Sequence, residues 1–401
     1  MNIVFLVYEY AHEKTPSYGG MGTYFKTMAY ELSKRGHNVD VFLYNPYVIN
    51  EIDEFYDGDV KVLNLSSFFK NHFFCRKILQ LSKKIKSSFL HRNMFMLEHK
   101  YIARKFEEYL LNKKVDIIKT HDTQGFFSYL KTDIPKIIHC SGSTMMLVHE
   151  FNYSLDTLTY NAMKYLEQKS FDNANYIMAG SNFSAKVSKK TFKTAEIDVI
   201  YNGIDLKQFN NDIKVKEIPY SLFYFGSVRE TKGLRIVAEV FNEIIKKEPR
   251  ATLHVIGKGE EYWNYLCEEV LTEKAQESSK YYGQIIRDKI QYELKKGSVF
   301  IFPTHGENFG FTFVEAMALE KPIVVSDIEV SKEIIAHNKD GFIAKSEKEY
   351  VDIILSLFNN DEKRNIISKR AKEKVFSKFS LDKMVDETIE YYTDIIDKNN
   401  L

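Results

Sequence analysis

SVFIFPTHGENFGFTFVEAMALE, Ser298 to Glu320, is the stretch whose reading decides the fold. Its first residues are apolar and short enough for a buried strand, and FTFVEAMALE has the composition of a helix. Between them runs a loop, Thr304–Gly310, at the strand's carboxyl end. Gly310 permits a tight turn and close approach of backbone to a ligand. The free N–H groups of Phe311 and Thr312 then open the helix, an arrangement suited to an anion and best to phosphate. Glu315 lies one turn inside, where a carboxylate can accept hydrogen bonds from a vicinal diol such as ribose. Glu307 sits on the loop, toward whatever the phosphate carries. Three readings of the two glutamates stand at this point. They are the acid and base of a sugar hydrolase, a cradle for a phosphorylated ligand, or surface charge complementing a helix dipole.

The strand–loop–helix pattern repeats along the chain. Ile3–Tyr8, Asn38–Leu43, Asp116–Thr120, Lys136–Cys140, Tyr176–Ala179 and Asp198–Tyr201 read as strands, with a helix over Gly22–Arg35. A second series begins at Ser221–Phe225 and continues at Thr252–Ile256, Ser298–Phe302 and Pro322–Val325. Such alternation calls for parallel sheets covered on both faces. It is too long for one open sheet, and the polar stretch Asp205–Pro219 reads as the linker. The expected fold is α/β, two doubly wound Rossmann-like lobes with a cleft between them, ligands lying at the carboxyl ends of the strands.

Two further loops carry candidate chemistry. FYFGSVRETKGL (Phe223–Leu234) places Arg229 and Lys232 after a strand and before a helix, suited to neutralising a diphosphate without a metal. SYGGMGTYF (Ser17–Phe25) lacks the spacing of either the dinucleotide or the P-loop motif. It reads equally as a ligand-approaching loop or a flexible turn. His121 ends one strand at the ligand-facing edge and His139 the next, each with a structural reading beside the functional one. DGD at Asp57–Asp59 follows a polar segment and reads as a turn. IGKG (Ile256–Gly259) lacks the third glycine of a dinucleotide loop.

Composition excludes several classes. The 56 Lys and Arg against 55 Asp and Glu leave no basic excess for nucleic acid. Cys75, Cys140 and Cys267 form neither a disulfide framework nor a metal-ligand spacing. MNIVFLVYEYAHE reads as a first strand and not a signal peptide, and no apolar run reaches the roughly 18–20 residues of a membrane span. A cytoplasmic protein is expected. One stretch departs from the even charge. From Val60 to Leu97 there is no Asp or Glu, while Phe74, Ile78, Leu81, Ile85 and Phe89 recur at helical spacing among lysines and arginines. Region 68–95 is therefore either a core-facing helix with a solvated basic back or an amphipathic element on anionic headgroups, peripheral at the inner face of the cell membrane.

GENFGFTFVEAMALEKPIVVSD resembles the E-x7-E segment of the retaining GT-B-fold glycosyltransferases, in particular glycosyltransferase family 4. VIYNGID (Val199–Asp205) resembles that family's interdomain junction, YGGMGTYFKTMAYELSKRGHNVDVF its glycine loop and first helix, and HNKDGFIA the turn after E-x7-E. The resemblance covers nearly the whole chain. It implies an acceptor-side domain over 1–205, joined by a crossing C-terminal helix over 380–401, and a nucleotide-sugar domain over 206–379. It implies that Glu315 takes the ribose hydroxyls, Arg229 and Lys232 the diphosphate, and Asn308, Phe309, Gly310, Phe311 and Thr312 the phosphate and sugar. Glu307 and His121 would meet the transferred sugar, Gly20 the donor phosphate, and Gln284 and Ile285 the base. No metal or other cofactor is obligatory on this reading. The implied reaction is transfer of a hexosyl group, with retention, from a nucleotide-diphosphate sugar to a hydroxyl of a glycan or lipid-linked acceptor. A UDP-sugar is the favoured donor, and bacterial surface-polysaccharide or glycoconjugate synthesis the expected setting. A nucleotide-sugar epimerase, or a binding subunit of the same fold without catalysis, is the alternative. One position departs from the family pattern: an Arg often follows the glycine matching Gly226, and here it is Ser227, leaving Arg229 to supply that cation from two positions on.

Overall fold

The structure, a computed structural model, describes residues 1–15, 19–44, 53–151, 153–194, 196–209 and 215–399. Ser17 and Tyr18 of the glycine stretch, and residues 210–214 of the expected linker, lie outside these. Contacts divide the chain into two compact units, Met1–Ile200 with Val385–Leu401, and Tyr201–Met384.

The first unit is built on eight strands: β1 (Asn2–Val7), β2 (Asn38–Tyr44), β3 (Asp53–Asp57), β4 (Val60–Leu65), β5 (Ile117–His121), β6 (Lys136–Cys140), β7 (Tyr176–Ala179) and β8 (Asp198–Val199). Their order is β3-β4-β2-β1-β5-β6-β7-β8, all parallel except β3, which pairs antiparallel with β4. The sequence reading expected only parallel strands and missed this hairpin. β3 is short and charged, β4 is apolar and buried, and the turn is Asp57–Asp59 with Gly58 at φ 62°. Asp57 is engaged by the Tyr10 hydroxyl at 3.0 Å and Lys26 at 2.9 Å, so its carboxylate serves the fold.

The helices of this unit are α1 (Gly20–Lys34), α2 (Phe68–Asn71), α3 (Phe73–Lys84), α4 (Ser88–Leu110), α5 (Thr144–Glu150), α6 (Thr157–Asn173) and α7 (Asn182–Phe192), joined from Val385 onward by the C-terminal helix Leu381–Asn399. α1 buries Phe25, Met28, Ala29 and Leu32, the face predicted from its spacing. The basic stretch falls on α2, α3 and the start of α4, with α3 and α4 separated where Lys86 takes φ 52°. Its apolar stripe faces solvent and not the core: Phe74 is 81% exposed, Leu81 48%, Ile85 56% and Phe89 68%. α3 is seated through its other face, where buried Ser82 meets His91 Nδ1 at 2.9 Å. His91 Nε2 lies 3.2 Å from Thr159 Oγ1, which ties α3, α4 and the start of α6 together.

The second unit holds β9 (Ser221–Phe225), β10 (Thr252–Ile256), β11 (Ser279–Tyr281), β12 (Val299–Phe302), β13 (Ile323–Ser326) and β14 (Phe342–Ala344). The order is β11-β10-β9-β12-β13-β14, with every pair parallel. α8 (Leu234–Lys247) follows β9, and its apolar face, including Val237, Phe241, Ile244 and Ile245, is fully buried. In each unit the strand order reverses beside the first strand, between β1 and β5 and between β9 and β12. Those switch points are where a doubly wound sheet leaves a crevice for ligand.

Candidate active site

At the switch point of the second unit the loops after β9 and β12 enclose a cavity of about 230 Å³. Tyr224, Ser227, Lys232, Glu307, Phe311 and Thr312 are among its lining residues. Gly310 stands at φ 81° as the residue before the helix Phe311–Ala318, and a Cβ there would lie 2.8 Å from the Phe313 ring. A side chain is therefore excluded twice, by conformation and by packing. The turn sets the start of that helix, Phe311 and Thr312, at the cavity edge. Glu315 is one turn further on, half-buried and on the same helical face as Thr312.

Lys232 Nζ is 2.5 Å from Glu307 Oε1, with both side chains partly buried. The two loops that carry them are stitched together by backbone: His305 N–H donates to Thr231 O at 3.2 Å. Gly233, at φ 74°, lets Pro303 O approach so closely that a Cβ would sit 2.0 Å away. Tyr224 forms the floor, its hydroxyl donating to Ser227 O at 2.8 Å. Burial and the Glu307 carboxylate push that phenol above its usual range, so it stays neutral.

The loop after β10 adds a second recess. Lys258, Gly259, Tyr281 and Gln284 are among the residues around a volume of about 720 Å³ beside the 230 Å³ cavity's loops. Gly226 N–H donates to Ile256 O at 3.0 Å and Val228 N–H to Lys258 O at 2.8 Å, so the loops after β9 and β10 are continuous. The IGKG stretch, set aside in the sequence for want of a third glycine, thus borders the candidate site. Ile285 lies beside Gln284 and is half-buried. Asn308 is half-buried and Phe309 buried, its ring 5.0 Å from Phe311. Arg229 is exposed and does not line the cavity, although its charge is felt at Tyr224.

The first unit carries its own set at the carboxyl edge. His121 is fully buried; its Nε2 accepts the Tyr8 N–H at 3.4 Å, and its Nδ1 lies 2.8 Å from Thr123 Oγ1. Burial lowers its pKa to about 3, which keeps the ring neutral. Gly20 is exposed, with open space where a Cβ would stand. The amides of the glycine loop already have an acceptor: Glu9 Oε2 takes the N–H of Gly19 at 2.9 Å and of Gly22 at 3.3 Å. Sequence reading passed over Glu9, and also over the buried acids beside His121. Asp122 accepts the N–H groups of Ser141 and Gly142, and Glu167 those of Thr144 and Met145. Burial raises Asp122 to about 6 and Glu167 to about 8, against the pull of those donors. Asp122 follows a strand that ends in His121, the one signal that could have marked it. Nothing in the sequence ties Glu167 to a loop 22 residues upstream.

Two family models match the chain, Glycosyltransferase Family 4 over residues 18–208 and Glycosyl transferases group 1 over residues 205–374. An uncharacterized glycosyltransferase of Methanocaldococcus jannaschii is 25% identical, the alignment covering 98% of both chains. The alpha-monoglucosyldiacylglycerol synthase of Streptococcus pneumoniae is 21% identical over 96% of this chain and 85% of its own. Among solved structures, Anabaena HepE in complex with UDP-glucose superposes with a TM-score of 0.66 at 17% identity, covering 98% of this chain and 100% of that one. The two family models meet end to end at the junction of two Rossmann-like units: the chain belongs to the GT-B glycosyltransferases of family 4 type.

Proposed function

We propose that this glycosyltransferase moves a hexosyl group from a UDP-sugar to a hydroxyl of a glycan or lipid-linked acceptor, with retention at the anomeric carbon. The observation that carries the donor site is the convergence of Lys232, Glu307 and the Phe311–Thr312 amides on one cavity. An ammonium and a helix N-terminus together suit the diphosphate. Glu315 then takes the ribose hydroxyls, and Gln284 and Ile285 flank the base in the adjoining recess. HepE, whose structure holds UDP-glucose, shares the fold and supports a nucleotide sugar in this place.

The sugar C1–O bond to the diphosphate breaks and a bond from C1 to the acceptor oxygen forms. The acceptor's proton passes to the departing phosphate oxygen, so no protein base is required. Charge gathers on the diphosphate as the bond breaks, where Lys232, Arg229 and the helix amides offset it. His121 is neutral, with Nε2 engaged by the Tyr8 N–H and Nδ1 by Thr123, so it is not suited to proton transfer and would meet a sugar hydroxyl only by giving up one of these partners.

The donor assignment is tested by thermal-shift titration with UDP, GDP and ADP, beside Glu315→Ala. A ligand at about 100 times its Kd stabilises the fold by roughly 2.7 kcal/mol. UDP alone is expected to shift the melt, and the shift is expected to vanish in the variant. A shift with GDP or ADP instead would replace the base, and none at all would remove the donor site. Binding without turnover on any acceptor would favour the non-catalytic alternative.

The acceptor side of the proposal rests on α3. No helix among the described residues is long and apolar enough to cross a membrane. The exposed apolar stripe of α3, flanked by Arg76, Lys77, Lys83 and Lys84, has the chemistry of an element lying on anionic headgroups at the inner face of the membrane. A lipid-linked acceptor in bacterial surface-polysaccharide or glycoconjugate synthesis follows from that placement. The glycolipid product stated in the name of the pneumococcal relative agrees with it. Flotation with liposomes is expected to carry the protein when anionic lipid is present, and to lose it in Phe74→Ser/Leu81→Ser. Equal recovery of wild type and variant would sink the membrane contact.

A further inference from the structure

Beside the exposed stripe, a groove of about 940 Å³ runs along α6, from Ser88 and Arg92 on α4 to Lys190 and Phe192 at the end of α7. Four cations border it: Arg92, Lys164, Lys169 and Lys190. Two carboxylates answer them, and one of these, Asp172, already accepts from Gln168 Nε2 at 2.8 Å. The other is Glu150, on α5. Among the described residues, none of the four cations is ion-paired with a carboxylate. Arg92 lies over the Tyr165 ring at 5.2 Å and Lys169 over Tyr129 at 3.5 Å, contacts that hold a charge in place without neutralising it. Tyr160, hydrogen-bonded to His149 Nε2 at 2.9 Å, gives the groove a second aromatic wall.

Position selects the occupant. Ser88 lines the groove and its neighbour Phe89 is 68% exposed on the stripe. Through His91 the first turns of α4 and α6 are locked to α3. Cations, tyrosines and a polar groove thus stand directly beside apolar side chains that face solvent. That sequence of environments matches a lipid from headgroup to chain.

We propose that the α6 groove binds the phosphodiester headgroup of an anionic membrane lipid while its chains remain in the bilayer against α3. This rests on the membrane contact proposed for α3 and deepens it, from a charged surface to a saturable headgroup site. The groove lies within the first unit, so its occupancy is separable from donor binding.

The test uses the full chain and short-chain lipids below their micelle concentration, read by isothermal titration. Dihexanoyl phosphatidylglycerol is expected to bind saturably at one site, and dihexanoyl phosphatidylcholine at least about 10-fold more weakly. Arg92→Glu/Lys164→Glu, both exposed residues, is expected to weaken the anionic lipid by at least about 10-fold, with UDP-induced melting shifts unchanged. Saturable binding that survives in this variant would overturn the groove. Glycerol phosphate or inorganic phosphate binding as tightly as the lipid would overturn the lipid and leave a site for a free phosphate ester. Phe74→Ser/Leu81→Ser separates the two proposals. If it abolishes flotation yet keeps short-chain phosphatidylglycerol binding, the groove stands as a headgroup site of its own. If wild type never floats but the groove binds the soluble lipid, the α3 contact fails and the tethered-lipid proposal fails with it.

Discussion

Lys232→Ala is expected to lower kcat/KM for glycosyl transfer by roughly 10²–10³, the scale on which one preorganised electrostatic donor at a developing anion acts. Its ammonium stands in the switch-point cavity on a loop fixed by the Gly233–Pro303 approach and the Thr231–His305 hydrogen bond. It is therefore placed before the donor arrives. Full retention of transfer in the variant would refute this account of the leaving group. The partner variant carries an opposite sign. Glu307 is ion-paired to Lys232 in the structure, so a donor diphosphate must take the lysine from it. Removing that carboxylate's charge removes both a competitor and a repulsion. Glu307→Gln is thus expected to bind UDP more tightly, by up to about 10-fold or roughly 1.4 kcal/mol, while transferring sugar more slowly. UDP affinity that falls with Glu307→Gln would mean the carboxylate supports the nucleotide and does not compete with it. Isothermal titration of UDP against both variants, beside initial rates, distinguishes these outcomes.

The pair also marks where sequence reading stops. Both residues were placed in the site from their loops, but 75 positions separate them, and no local pattern says that they touch. Strands with apolar runs were legible almost to the residue, as Lys136–Cys140 and Ser221–Phe225 illustrate. Burial on both faces leaves such strands no polar alternation to obscure them. β3 hid because a charged edge strand looks like a loop, although the apolar run of β4 beside it was there to be seen. The periodicity of α3 identified its apolar face without saying which way that face points. That depended on Ser82 and His91, a buried polar contact invisible to a hydrophobic count. Similarly, Glu9 took the glycine-loop amides that the sequence offered to a ligand, because a carboxylate ten residues upstream carries no spacing signature.

The glycine loops themselves were underread, and Gly257 gives the largest expected effect on stability. Its φ is 151°, outside the range L side chains readily adopt, and a Cβ would lie 1.7 Å from Gly226 O. That neighbour is backbone and has no rotamer to yield, so the loops after β9 and β10 must part. Parting them strains three hydrogen bonds: Gly226 N–H to Ile256 O, Val228 N–H to Lys258 O, and Gly257 N–H to Gly283 O. Backbone strain of about 1–3 kcal/mol and about 1 kcal/mol for each of the three weakened bonds put Gly257→Ala at roughly 4–6 kcal/mol, in the exceptional tail of point substitutions. Gly283→Ala is the control. It too has positive φ, 66°, but nothing stands within 4 Å of its Cβ, so about 1 kcal/mol is expected. The sole tryptophan, Trp263, makes the measurement local. It sits in the second unit, its ring 5.7 Å from the Tyr281 ring and its backbone N–H donating to Gly259 O at 3.0 Å. Urea unfolding followed by its fluorescence therefore reports on these loops. Equal midpoints for the two variants would show that the loops separate freely, and the cavity they enclose would then owe its shape to the ligand and not to the fold.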